Sequence, residues 1–194
     1  MRPTKEQANQ NRQRIIDTAG RLFREKGIHA VGVDEVMKGA GLTHGGFYGH
    51  FKSKGDLAAE AVSHALLESL RSEPAYATLG ALAKNYLSRA HRDAADSGCT
   101  VAALGPEIAR LPKGQRGGIT DYVRARIEQV EQIQAQQGQT VDRGKAIADL
   151  SSLVGALVMA RAVDDPALSD EILTETIRVL DGRRYELCAR RGID

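Results

Sequence analysis

The residues best suited to chemistry lie in one short stretch, residues 33–54. Its centre is Thr43-His44-Gly45-Gly46. These small or polar groups let a backbone approach base edges in a DNA major groove, which is about 12 Å wide. Lys54 stands at the start of a predicted helix, where the amide donors and the helix dipole both favour a phosphate. The donors that follow the centre are Tyr48, His50, Lys52 and Lys54. The stretch therefore predicts contact with nucleic acid.

Two other kinds of chemistry are conceivable at these residues. His44 and His50 could form a metal pair, but their spacing puts them on different faces of a helix, and no Cys, Asp or Glu joins them. His44-Gly45-Gly46 is similar to the start of a lipase oxyanion loop, but the sequence contains no Gly-x-Ser-x-Gly turn. HExxH, Walker A and Rossmann glycine patterns are also absent. The sequence predicts no metal site, no cofactor and no enzyme.

Two short helices would position the stretch. Apolar residues at helical spacing predict a helix from about 33 to 40, and Gly41 can end it because glycine adopts the left-handed conformation. Thr43 can cap a second helix that runs through Phe51. Two such helices joined by residues 41–43 make a helix-turn-helix, whose second helix enters the groove.

The whole chain is predicted to be all-α, because its apolar residues recur with helical spacing and no strand-like alternation persists. The first helix carries an apolar stripe over residues 15–23 and ends at Gly27. Ser53 and Asp56 fit a capping box for the fourth helix. The helices after the first are expected at about 33–40, 43–51, 54–72, 79–96, 101–111 and 115–136, then from about 147 to a break at Asp164-Asp165-Pro166, and at 170–187.

Composition restricts the class of protein further. The 194 residues carry a formal net charge of +2, yet residues 1–55 hold ten Lys and Arg against five Asp and Glu. A basic segment of this kind is typical of one that meets a polyanion. Cys99 and Cys188 have no metal-ligand or disulfide spacing, which favours a reducing compartment. No apolar run approaches the roughly 18 residues of a membrane span, so we expect a soluble, cytoplasmic protein without a signal peptide.

The first fifty-five residues resemble the TetR family of transcriptional regulators. The resemblance is carried by Leu22-Phe23-x-x-x-Gly27, by Ala-Gly-Leu-Thr at 40–43, and by Gly-x-Phe-Tyr-x-His-Phe-x-x-Lys at 45–54. It implies two domains, a helix-turn-helix DNA-binding domain over 1–53 and a helical ligand-binding and dimerisation domain over 54–194. It also implies a function as a ligand-responsive regulator, most often a repressor.

The resemblance assigns roles to the residues of the motif. It implies that Thr43, His44 and Gly46 lie at or near base edges and that Tyr48, His50 and Lys54 hold phosphates. Arg12 and Arg14, with Arg2 and Lys5 in the leading arm, are expected to add backbone or minor-groove contacts. The full DNA-binding set is Arg12, Arg14, Thr43, His44, Gly45, Gly46, Phe47, Tyr48, His50, Lys52 and Lys54.

The resemblance also implies a homodimer formed by the last two long helices, a palindromic operator, and a small-molecule inducer. The expected dimer interface comprises Val154, Leu157, Val158, Arg161, Leu173, Ile177 and Leu180. Leu66, Tyr86, Tyr122 and Met159 are candidates for the inducer pocket, with ordinary core packing as the alternative.

Cys99 is a further candidate, either in the pocket or as a redox or electrophile sensor. It follows Gly98 at the start of a predicted helix, where the amide groups would lower the pKa of an exposed thiol. A lone cysteine is otherwise a small buried apolar residue. Cys188 is expected to be inert.

Overall fold

The computed structural model describes residues 4–182 of the chain, and every regular element in this range is helical. The all-α prediction is therefore confirmed. None of these helices is both long and apolar enough to cross a membrane. The α-helices are α1 (Lys5–Lys26), α2 (Val33–Gly39), α3 (Lys54–Ser72), α4 (Leu79–Tyr86), α5 (Arg89–Asp93), α6 (Thr100–Ile108), α7 (Gly117–Gln136), α8 (Arg143–Ala162) and α9 (Pro166–Leu180). Two short 3₁₀ helices are η1 (His44–Gly49) and η2 (Lys113–Gln115).

The chain forms two compact units. The first contains the chain up to Ser72 together with Ala95–Tyr122, and the second contains Glu73–Ala94 and the residues from Val123 onward. In this grouping α3 belongs with the helix-turn-helix. The functional division expected between residues 53 and 54 stays a prediction.

In the first unit, α1 packs mainly against α3. The helix begins at a capping box, in which Thr4 accepts from the amide of Gln7 and the Gln7 side chain accepts from the amide of Thr4. Its predicted apolar stripe is buried, and Gly27 ends it with a φ of 86°. At the start of α3, the amide of Asp56 donates to the Ser53 hydroxyl over 3.1 Å, which is one of the two hydrogen bonds of the predicted capping box.

The turn after α2 depends on Gly41, whose φ of 70° lies in the left-handed region. Its amide donates to the carbonyl of Lys38, and the amide of Leu42 donates to the carbonyl of Met37. Both hydrogen bonds supply donors to carbonyl groups at the end of α2, where the helix itself has no further amide groups to offer. The predicted helix-turn-helix corner is thus formed.

The second helix of this motif differs from the prediction. Residues 44–49 form a 3₁₀ helix, and Thr43 precedes it in an extended conformation without a capping hydrogen bond from its side chain. Three of the six residues of η1 are glycine. Glycine disfavours the α-helix by about 1 kcal/mol per residue relative to alanine, and a short segment gains few hydrogen bonds, so the tighter turn forms instead.

In the second unit, the predicted helix over 79–96 is divided into α4 and α5. Ser88 breaks it, because its hydroxyl accepts from the amide of His91 and caps α5. The last helix begins at Pro166, earlier than predicted, because Asp165 accepts from the amides of Ala167 and Leu168. Proline fits the first turn of a helix, since that turn needs no amide donor. The predicted end of this helix lies outside the described residues.

Candidate nucleic-acid interface

Two adjacent aromatic residues fix the orientation of η1. Phe47 is 1% exposed and stacks on Phe51 with ring centroids 5.8 Å apart, whereas Tyr48 is 70% exposed. The motif is therefore anchored by Phe47 and presents Tyr48 to solvent. Phe47 was expected among the DNA-contacting residues, and the structure places it in the core instead, because a ring this size is stabilised by burial.

The outward face of η1 begins with small or polar residues. Thr43, His44, Gly45 and Gly46 are all exposed. A methyl group added at Gly45 would meet nothing within 4 Å, so this glycine is not required by internal packing. Its missing side chain leaves the backbone open to a flat partner, as predicted for a segment that approaches base edges.

His44 contacts both elements of the corner. Its Nδ1 pairs with Oδ1 of Asp34 in α2, and its ring meets the Tyr48 ring edge-on with centroids 6.3 Å apart. The side chain of His44 is 53% exposed. The imidazole is therefore held from two sides while much of it faces solvent.

The predicted phosphate contacts include two lysines and a histidine. Lys54 donates to the carbonyl of His29 over 3.2 Å, and Lys52 is exposed. Because an ammonium group has three donors, Lys54 can hold His29 and still bind an anion. His50 is half-buried.

The two arginines of α1 are placed differently. Arg12 forms a two-pronged pair with Glu60 of α3, and its guanidinium lies 4.7 Å from the centre of the Phe51 ring. The hydrogen bond to Glu60 raises the pKa of Arg12. Arg12 therefore joins α1 to α3, and its expected DNA contact stays a prediction. Arg14 is exposed and donates to Asn11, and Arg2 lies outside the described residues.

Residues 15–61 match a protein-family model described as bacterial regulatory proteins, tetR family. The chain is 46% identical over 59 residues to the HTH-type transcriptional regulator AcrR of Shigella flexneri, a match that covers 30% of this chain and 27% of that protein. The aligned part therefore spans about a quarter of the length of this relative.

Solved structures extend the likeness to the whole fold. A TetR-family transcriptional regulator from Cytophaga hutchinsonii superposes with a TM-score of 0.70 at 19% identity, over 94% of this chain and 98% of that one. AibR, solved in complex with isovaleryl coenzyme A and operator DNA, gives a TM-score of 0.59 at 18% identity over 88% of this chain and 97% of its own.

Residues 15–61 are therefore similar to the tetR family of bacterial regulatory proteins, and the solved structures show that the fold is similar over most of the chain.

The residues expected to form the TetR-family inducer pocket are divided between the two units. Leu66, Cys99 and Tyr122 are buried in the first unit, and Tyr86 is buried in the second. Met159 is 53% exposed on the surface of α8. The structure therefore removes Met159 from the interior, because its side chain lies on the side of α8 that faces solvent.

Cys99 is the residue preceding α6 and is 7% exposed. A thiol this buried reacts slowly with large oxidants or electrophiles, because they must reach the sulfur. Cys188 lies outside the described residues.

The residues expected at the dimer interface fall into two groups. Leu157 and Leu173 are buried within the second unit itself, and Arg161 donates to the carbonyls of His91 and Arg92 over 2.6 and 2.9 Å. These three side chains stabilise the protomer and do not form a free outer surface. Val158 is exposed, whereas Val154, Ile177 and Leu180 are half-buried.

A groove of about 590 Å³ lies between α8 and α9 on this surface. Its lining includes Gly155 and Met159 from α8 and Val179 and Leu180 from α9. Val179 was missed in the sequence, because Ile177 and Leu180 fit the helical repeat better. Exposure of an apolar residue cannot be inferred from type and spacing alone.

The second unit also contains a polar cluster that has no motif in the sequence. Arg126 is 2% exposed, and its Nη1 lies 2.6 Å from a carboxylate oxygen of Glu73. Burial lowers the pKa of His91, whose ring also packs edge-on against Tyr86. Within residues 4–182, no group of three or more His, Cys, Asp or Glu side chains is arranged to hold a metal ion.

Proposed function

We propose that this protein is a transcriptional regulator that binds a palindromic DNA operator as a homodimer and is released by a small-molecule inducer. The observation that carries the proposal is the difference in burial between neighbouring residues of η1. Phe47 is buried and fixes the segment, while the small or polar side chains beside it face outward.

DNA binding would use this outward face in two ways. Thr43, His44 and Gly46 would lie against base edges, which carry sequence information in the major groove. Tyr48, Lys52 and Lys54 would bind phosphates, which fix the register of the protein without reading the sequence. The exposure of Tyr48 and the spare donors of Lys54 support this assignment.

Homodimer formation is supported by the surface of α8 and α9. Val158, Met159 and Val179 are large apolar side chains that remain more than 40% exposed in the protomer. A second copy covering them would remove apolar area from water, which favours association by about 25 cal/mol per Å². Two-fold symmetry would then place two η1 segments about 34–36 Å apart, one turn of DNA.

Ligand response is supported by AibR, whose structure holds both isovaleryl coenzyme A and operator DNA on a similar fold. For this chain we propose linkage: the inducer binds one state of the dimer better than the state that fits the operator. Blocking of transcription by the bound dimer is the corresponding proposal for its regulatory role.

Selection of bound sequences from a random DNA pool tests DNA binding. We expect the wild-type protein to enrich a two-fold symmetric motif, and Tyr48→Ala and Lys54→Ala to lose it. Lys113→Ala is the control, because Lys113 is an exposed lysine that lies in η2, outside the helix-turn-helix. A pool without any enriched motif at moderate salt would contradict the proposal.

Dimer formation has a separate test. Val158→Lys and Val179→Lys should convert the dimer to a monomer in sedimentation, since each would bury a charge in the interface. Lys145→Ala on the exposed part of α8 serves as the control. An unchanged dimer in both lysine variants would refute this surface as the interface.

Inducer action is tested by titration of a ligand shown to bind the protein against the operator complex. The affinity for the operator should fall as the ligand saturates. A ligand that binds but leaves operator affinity unchanged would end the linkage proposal.

A further inference from the structure

The corner at which α2 meets η1 brings an aspartate next to a histidine. Asp34 lies in the first turn of α2 and His44 is the first residue of η1. The Oδ1 atom of Asp34 contacts Nδ1 of His44, and the rings of His44 and Tyr48 meet edge-to-face with centroids 6.3 Å apart. An aspartate therefore adjoins the histidine that is the best candidate for reading bases.

The chemistry of the two side chains defines which ring nitrogen carries a proton. An ionised carboxylate can only accept hydrogen bonds. A lone pair on Nδ1 facing this negative oxygen would be repelled, so the proton belongs on Nδ1. The other nitrogen, Nε2, lies on the opposite edge of the ring and keeps its lone pair when the ring is neutral.

We propose that Asp34 is a positioning residue for base recognition, which holds the proton of His44 on Nδ1 and turns Nε2 toward the major groove as a hydrogen-bond acceptor. The inference rests on the proposed DNA binding and adds a chemical preference to it. An acceptor in the major groove matches the amino groups of adenine and cytosine, and it does not match the acceptor atoms of guanine.

Asp34 has two other conceivable effects on DNA binding, one through the stability of the fold and one through its negative charge. Asp34 is 82% exposed and His44 is 53% exposed, so their pair adds little to the stability of the fold. A negative charge on a surface that meets DNA also weakens binding to every phosphate backbone. A role in stability or in general affinity therefore cannot produce a preference at one base pair.

The test is selection of bound DNA by the full chain as wild type, Asp34→Ala, His44→Ala and the double variant. We expect His44→Ala to lose the preference for adenine or cytosine at one position of each half-site, by about 10-fold. Asp34→Ala should lose the preference at the same position, and the double variant should lose no more than His44→Ala alone. Additive losses, or an intact preference in Asp34→Ala, would overturn the inference.

Two further variants separate positioning from charge. Asp34→Asn keeps an oxygen that can accept from Nδ1, so it should retain the base preference better than Asp34→Ala. Glu35→Ala is the matched control, because Glu35 is the next residue of α2 but its carboxylate binds Lys26 over 2.7 Å. If Asp34→Ala only strengthens binding to all sequences equally, the carboxylate acts through charge and the inference fails.

Nitrogen NMR of the histidine rings gives a readout that a structural role would not change. The neutral His44 ring should carry its proton on Nδ1 in the wild type and lose this bias in Asp34→Ala. A proton on Nε2 of the neutral wild-type ring would overturn the inference.

The selection also separates the inference from the proposed function. Failure of the wild type to enrich any motif would contradict DNA binding itself. An enriched motif that depends on His44 and ignores Asp34 would leave DNA binding intact and refute only the positioning role.

Discussion

Replacement of the neighbouring residues Phe47 and Tyr48 should have opposite consequences. Phe47 is 1% exposed and packs between Phe51 and Tyr48, whereas Tyr48 is 70% exposed. Removal of a buried phenylalanine ring typically destabilises a protein by about 3–5 kcal/mol. Removal of an exposed side chain usually changes the free energy of unfolding by less than about 0.5 kcal/mol. Phe47→Ala should therefore unfold at a much lower urea concentration, and Tyr48→Ala should unfold like the wild type.

Replacement of Tyr48 should act on DNA affinity and leave the stability of the fold unchanged. A hydrogen bond from the Tyr48 hydroxyl to a phosphate contributes about 1.5 kcal/mol, so two symmetric contacts in a dimer contribute about 3 kcal/mol. Tyr48→Phe lacks only this hydroxyl and should weaken operator binding on the order of 100-fold without loss of stability. Fluorescence anisotropy with the selected operator at fixed salt measures this change, and circular dichroism in urea measures stability.

Either of two results would refute the reasoning. Unchanged operator affinity in Tyr48→Phe would show that the hydroxyl does not bind DNA. Wild-type stability in Phe47→Ala would show that η1 is not anchored by this ring.

Three further predictions concern the turn, a buried histidine and the thiol. Gly41→Ala should lower stability in urea by about 1 kcal/mol, because the φ of 70° strains alanine; an unchanged urea midpoint would disprove the backbone explanation. Burial lowers the pKa of His91 below 6.5, so the unfolded chain binds more protons and the free energy of unfolding should fall as pH drops below about 6.5. His91→Gln should flatten this dependence, and parallel urea midpoints for both proteins from pH 7 to 5 would contradict it. With Cys188 replaced by Ser, Cys99 should react with a disulfide reagent at least about 10-fold more slowly than in the urea-unfolded chain, since it is 7% exposed, and equal rates would return it to the list of sensor candidates.

The sequence by itself determined the corner of the helix-turn-helix. Gly41 had to end α2 because only glycine enters the left-handed region without strain, and the structure gives it a φ of 70°. The family motif over residues 40–54 and the apolar stripe of α1 are likewise local patterns. Local patterns are readable because they depend on neighbours within a few residues.

Only the tertiary structure decided which side of each element is covered and which donors are already used. Arg12 is a residue type that commonly binds phosphate, but its guanidinium donates to the carboxylate of Glu60, 48 residues away. Leu157 and Val158 are adjacent apolar residues of α8, yet the first is buried in the protomer and the second is exposed. Partners and burial arise from elements distant in the chain, and residue type and spacing carry no record of them.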